Sequence, residues 1–181
     1  MIPIFIGAML HAPNMNKIIV FLCFTTLLFT SCYNDADDEI TVEGVWKLTA
    51  YNVSDGFDIN NDGIASVNLL DEIPCTNNET LVFESKGVVT SNQTFNPSIE
   101  IGLVNSTSDS YIFNVICDEE GSIGYATNFT LNANEIFIND NIATISGNKL
   151  SRVFADAIKI YNEDFTEVVA TKDVTLVYMK R

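Results

Sequence analysis

Tyr125-Ala126-Thr127-Asn128-Phe129-Thr130-Leu131 sets large apolar side chains against small or polar ones with a period near two. Successive side chains of a strand point to opposite faces, so this stretch predicts a strand with one buried face and one wet one. The pattern recurs on both sides. Upstream, Leu81 and Phe83 alternate with Val82 and Glu84, and Tyr111, Phe113, Val115 and Cys117 alternate with Ile112, Asn114 and Ile116. Downstream, Ile136 and Ile138 flank Phe137, while Val174, Leu176 and Tyr178 flank Thr175 and Val177. Turn residues separate these runs at Asn60-Asn61-Asp62-Gly63, Lys86-Gly87, Glu120-Gly121, Asn139-Asp140-Asn141, Ser146-Gly147-Asn148 and Asn162-Glu163-Asp164. Roughly seven or eight short strands at this spacing predict a sandwich or an up-and-down barrel. One stretch departs. Over residues 65–73, Val67, Leu70 and Ile73 fall at i, i+3 and i+6, which predicts a short helix. Residues 91–110 are polar and rich in Asn and Ser, and read as a long loop.

Residues 1–31 read as an address. Met15-Asn16-Lys17 precedes the apolar run from Ile18 to Phe29, the order of a secretory signal peptide, and the run is too short to span a bilayer. Met15 is the better initiator. Phe29-Thr30-Ser31-Cys32 resembles the bacterial lipobox, which implies that Cys32 becomes the diacylated first residue of the mature chain. Residues 32–42 read as an acidic tether, with Asp35, Asp37, Asp38 and Glu39 in close succession. This cluster resembles a signal that sends some lipoproteins to the outer face of the outer membrane; a plain solvated spacer has the same composition. The folded domain is then 43–181.

Gly44-Val45-Trp46 opens the first strand of that domain and carries the chain's single Trp. It resembles the Gly-X-Trp signature of the lipocalins. The full order is similar to that of the bacterial lipocalin-like lipoproteins: lipobox, Gly-X-Trp strand, an Asp-X-Asn-X-Asp-Gly loop from Asp58, a Cys after a short helix, and a last strand Val174-Thr175-Leu176-Val177-Tyr178 leading to Lys180. The resemblance implies an all-β fold, an eight-stranded antiparallel up-and-down barrel with one short helix. It also implies that Trp46 closes the narrow end against Lys180 or Arg181, a cation–π contact.

Charge and inventory narrow the function. Nine Lys and Arg stand against 24 Asp and Glu, a formal charge of −15, which excludes nucleic acid as a natural partner. The one His, His11, lies in the signal segment, so His-based nucleophile activation and His-ligated metal sites are excluded from the mature domain. The expectation is a protein that is not an enzyme, with no catalytic residues. Cys75 and Cys117 are the thiols left in the domain; in an exported chain they are expected to pair, two buried free thiols being the alternative. Asp58, Asn60, Asp62 and Ile64 stand where the first half of an EF-hand loop places its ligands, with Gly63 at the sharp turn, and so form a candidate calcium loop. Position 12 is Leu69 rather than an acid, and the same residues also make a turn that bonds its own backbone. The acid pairs, Asp71-Glu72 among them, read as solvated turn residues. Trp46, Phe83, Phe113, Tyr125, Phe129 and Tyr178 are the candidates to line a pocket or fill a core. The functional expectation is a lipid-anchored barrel holding a small apolar or amphipathic ligand. The rival is a solid barrel whose loops bind a protein, as an inhibitor or accessory subunit of a surface complex. Tyr33 after Cys32, in place of Asp, leads to the expectation of an outer-membrane location in a Gram-negative bacterium.

Overall fold

The computed structural model describes residues 41–105, 110–117 and 124–181. The expected signal peptide, Cys32, the tether as far as residue 40, and the Glu120-Gly121 turn lie outside the described residues.

The period-two runs form strands, and short turns keep neighbours antiparallel. The strands are β1 (Gly44–Phe57), β2 (Ser66–Asn68), β3 (Thr80–Glu84), β4 (Val88–Ser91), β5 (Ser98–Leu103), β6 (Tyr111–Ile116), β7 (Tyr125–Asn132), β8 (Glu135–Ile138), β9 (Asn141–Ser146), β10 (Lys149–Tyr161) and β11 (Val168–Lys180). Eight of them close on themselves in the order β1-β3-β4-β7-β8-β9-β10-β11, each pairing antiparallel with the next and β11 returning to β1. Closure removes the open edges that an eight-stranded sheet would otherwise expose. The barrel expectation holds and the sandwich does not.

The inward register of β1, β3 and β11 supplies Trp46 and Leu48, Leu81 and Phe83, and Tyr178, all almost fully buried. Val89, Ile136, Ile138, Ala143, Ile145 and Leu150 complete the core from the other walls. Trp46 pairs with Lys180 in register, the Lys180 ammonium sits 5.6 Å from the centre of its ring, and the Trp46 indole N–H donates to the Val42 carbonyl at 2.7 Å. Lys180, not Arg181, is therefore the basic partner at this end.

Two expectations are corrected. The helix over residues 65–73 is absent. Ser66–Asn68 is a strand paired to β1, followed only by a 3-10 turn at Leu69–Asp71. The Ser66 hydroxyl accepts from the Asn68 N–H, and the Asn68 side chain accepts from Leu70 and Tyr51, so short polar side chains take backbone donors a helix would need. The expected face is also split, with Ile73 buried and Val67 50 % exposed. The loop over residues 91–110 is likewise broken up, because Ser98–Leu103 is β5. It forms a hairpin with β6 that lies outside the barrel and joins β10 by a short parallel pairing at Ile101 and Gly102. A Cβ at Gly102 would stand 2.6 Å from the Phe165 ring, which would have to move to admit it. Phe57 packs edge-on against Tyr111 and Phe113, seating the hairpin on the far end of β1.

Candidate functional site

Opposite the Trp46 end, the barrel is not filled. A cavity of about 420 Å³ lies between β1, β7, β10, β11 and the segment leading into β5. Such a volume falls within the roughly 300–1,000 Å³ of small-molecule sites. Its apolar walls are Phe95, Ile99, Phe154, Ile158, Val174 and Leu176. Its polar residues are Tyr51, Glu79, Thr94, Asn96, Tyr125 and Arg152.

Glu79 is placed by the chain just before β3, at the register that puts Leu81 and Phe83 inward. The Asn77 side chain donates to the Leu48 carbonyl and accepts from the Glu79 N–H, while the Leu48 N–H donates to the Glu79 carbonyl. These bonds sit where β1 shifts register between Leu48 and Ala50. Glu79 is 2 % exposed, yet both carboxylate oxygens are satisfied: Oε1 accepts from the Tyr178 hydroxyl at 2.6 Å and Oε2 from the Phe95 N–H at 2.8 Å. The second bond draws the segment carrying Phe95 down across the cavity, where its ring meets Tyr51 edge-on. Burial, then the Glu79 charge, push the Tyr178 hydroxyl far above the usual tyrosine range. Tyr51 is raised for the same two reasons in the same order.

Arg152 faces Glu79's neighbourhood from β10, with Leu150 and Phe154 on the same inward register. It is 8 % exposed, and its guanidinium lies over the Phe154 ring at 5.0 Å. Its Nε has no hydrogen-bond partner; neither have the buried hydroxyls of Ser91, Thr94 and Tyr125. Burial raises the Tyr125 hydroxyl, and the nearby Arg152 charge opposes that rise. Buried polar atoms are normally paired, so the three unpaired ones that belong to cavity-lining residues, on Thr94, Tyr125 and Arg152, mark a place where something polar belongs.

The expected pocket residues divide between the two ends. Tyr125 lines the cavity. Trp46, Phe83 and Tyr178 are core, and Phe129 stacks edge-on against Phe83 beside them. Phe113 belongs to the outer hairpin; it lines a separate hollow of about 510 Å³ with Ile59, Glu72, Pro74 and Val115. Cys75 and Cys117 form a disulfide. Cys117 follows β6, so the bond ties the residues after the 3-10 turn to the hairpin rather than to the barrel wall.

In the candidate calcium loop, Asp58 accepts from the N–H groups of Asp62 and Gly63, Asn60 from that of Asp62, and Asp62 from that of Ile64. Glu72 also reaches this loop. It is 4 % exposed and its Oε2 accepts from the Ile59 N–H at 3.0 Å, so the expectation that the Asp71-Glu72 pair is merely solvated is corrected for Glu72. Among the described residues no cluster of three or more acidic, His or Cys side chains has metal-holding geometry.

Glu79, Arg152, Ser91 and Thr94 were missed by the pattern reading. For Arg152 a signal existed: it is a charged residue on the inward register of a strand whose neighbours at ±2, Leu150 and Phe154, are apolar; Glu79, just before β3 with Asn77 and Leu81 at ±2, gave a weaker one. Comparison with protein-family models, with curated proteins and with solved structures finds no match.

Proposed function

We propose that this chain is a lipid-anchored, non-enzymatic binding protein that holds a small amphipathic molecule in the barrel cavity opposite Trp46. One observation carries the reading: the cavity of about 420 Å³ pairs apolar walls with unpartnered polar atoms inside a closed barrel. Apolar walls favour a hydrocarbon body, while buried donors left unpaired cost free energy until a ligand or ordered water meets them. The carboxylate in the cavity, Glu79, already accepts two hydrogen bonds and is committed to holding Tyr178 and the Phe95 segment. Anchoring rests on Cys32 and the lipobox it closes, and an outer-membrane location on Tyr33 after it.

Native mass spectrometry of the chain purified from its own source tests the reading. Added mass of a few hundred daltons beyond the acylated chain is expected. A bare chain overturns the ligand reading. A co-purifying protein supports the second reading, for which the outer hairpin offers β6, with Ile112 at 41 % and Ile116 at 57 % exposure and β5 its one partner strand among the described residues.

A further inference from the structure

We propose that the cavity selects an aliphatic carboxylate, whose head group pairs with the Arg152 guanidinium and the Tyr125 hydroxyl. This rests on the cavity being a ligand site, and it names the chemistry of the ligand.

Arg152 is more than nine-tenths buried, yet no carboxylate stands against it: among the described residues the sole side-chain ion pair joins Lys172 to Asp55. A buried cation that no carboxylate touches is costly even with Glu79 elsewhere in the same cavity, and its Nε–H is left without an acceptor. Arg donates and never accepts, so whatever completes it must bring lone pairs. The Tyr125 hydroxyl stands beside Arg152 with its proton free to donate, which supplies a second donor, and burial keeps that hydroxyl protonated. The Thr94 hydroxyl, also in the cavity wall, can rotate to donate as well. A carboxylate presents two acceptor oxygens and one negative charge, which matches one guanidinium flanked by neutral donors.

Other head groups fit less well. A cation meets Arg152, and the one acid nearby, Glu79, has both oxygens occupied. A phosphate brings up to two negative charges beside Glu79 with one guanidinium to balance them. An alcohol can accept from the Nε–H but brings no charge into contact with the guanidinium. Phe154 fixes the guanidinium from one side through its ring, which leaves the other side for the ligand.

Calorimetric titration of the full chain, freed of co-purified lipid, with decanoate, decanol and decyl phosphate at neutral pH tests the inference. Decanoate is expected to bind about tenfold more tightly than decanol, as one charge-assisted hydrogen bond would give. Arg152→Met, which keeps an apolar stem, should abolish the preference while decanol affinity persists. Tyr125→Phe should reduce it severalfold; this variant and the wild-type comparison carry the test if Arg152→Met does not fold. Equal binding of decanoate and decanol, tighter binding of decyl phosphate, or a preference that survives both substitutions overturns the head-group inference and leaves the ligand cavity standing. Binding of none of the three overturns the cavity reading itself.

Discussion

Tyr178 joins the filled end of the barrel to the hollow one through the bond from its hydroxyl to Glu79. Tyr178→Phe keeps the ring and removes one donor from a buried carboxylate, so it should cost about 1–3 kcal/mol at neutral pH, read by urea denaturation. Alkali gives a second readout. Tyr178 titrates above its unfolded value because burial and the Glu79 charge disfavour the phenolate. A raised folded pKa gives stability that is complete below the unfolded value near 10 and is lost above it, by roughly 1.4 kcal/mol per pH unit for each such tyrosine. Tyr51 and Tyr125 are raised too and add to the slope. The wild type should therefore lose stability steeply above about pH 10, and Tyr178→Phe less steeply; parallel curves would show that the Tyr178 hydroxyl is not buried beside Glu79 in solution. At this scale legibility followed hydropathy. The Trp46–Lys180 contact could be anticipated only through the resemblance of Gly44-Val45-Trp46 to the lipocalin signature, which implies a basic partner from the last strand. Glu79 and Arg152 were passed over because a charged residue in a strand is first taken for an outward one, and only the register set by Leu81 and Leu150 turns them inward.

Among the elements, the strands were legible and the connections were not. β7, β8 and β11 show their period in a few residues, whereas β5 hides in a stretch whose Asn and Ser content reads as loop. The supposed helix failed because three apolar residues at helical spacing carry less weight than Ser66 and Asn68 bonding the local backbone. The connection between β1 and β3 is instead held from three sides: by β2 on β1, by Glu72 on the Asp58 loop, and by the Cys75–Cys117 bond to the outer hairpin. That bond spans 42 residues, for which chain entropy gives about 4 kcal/mol of stabilisation. Replacing both cysteines by Ser should lower the melting temperature by roughly 10 °C or more. Retention of the wild-type melting point would mean the hairpin is held by Phe57, Tyr111 and Phe113 alone. The calcium proposal is separable in the same assay. If the Asp58 loop takes the ion, millimolar calcium raises the melting point by several degrees over chelator, and Asp62→Ala removes the difference. Coincident curves leave the loop as the self-bonded turn its Asp58 and Asn60 contacts describe.

For the whole molecule, the direction in which the barrel faces its side chains bears on how it meets a membrane. A barrel that spans a bilayer turns apolar residues outward and polar ones in. Here Trp46, Leu48, Leu81 and Phe83 point in, while Thr49, Glu84, Asn128 and Thr130 are exposed on the same strands or their neighbours. Among the described residues no helix is long and apolar enough to cross a membrane. A formal charge of −15 also opposes adhesion to an anionic bilayer surface. On the proposed anchoring through Cys32, acyl chains would supply about 0.8 kcal/mol per buried CH₂, enough for stable attachment with two or three chains. The barrel was legible because period two, turn spacing and the Gly44-Val45-Trp46 start agree with one another; the hollow end was not, because a cavity is set by side chains from β1, β7, β10 and β11 that no local window brings together. Attachment through one residue makes a sharp prediction. Cys32→Ala should leave the barrel folded, with the disulfide intact, and move the protein from the membrane pellet to the soluble fraction or to an unprocessed precursor. The two products are told apart by mass, since the precursor retains residues 1–31. Pelleting of the variant with membranes in processed form would mean that the barrel itself binds the bilayer and that the lipobox reading of Phe29-Thr30-Ser31-Cys32 is wrong.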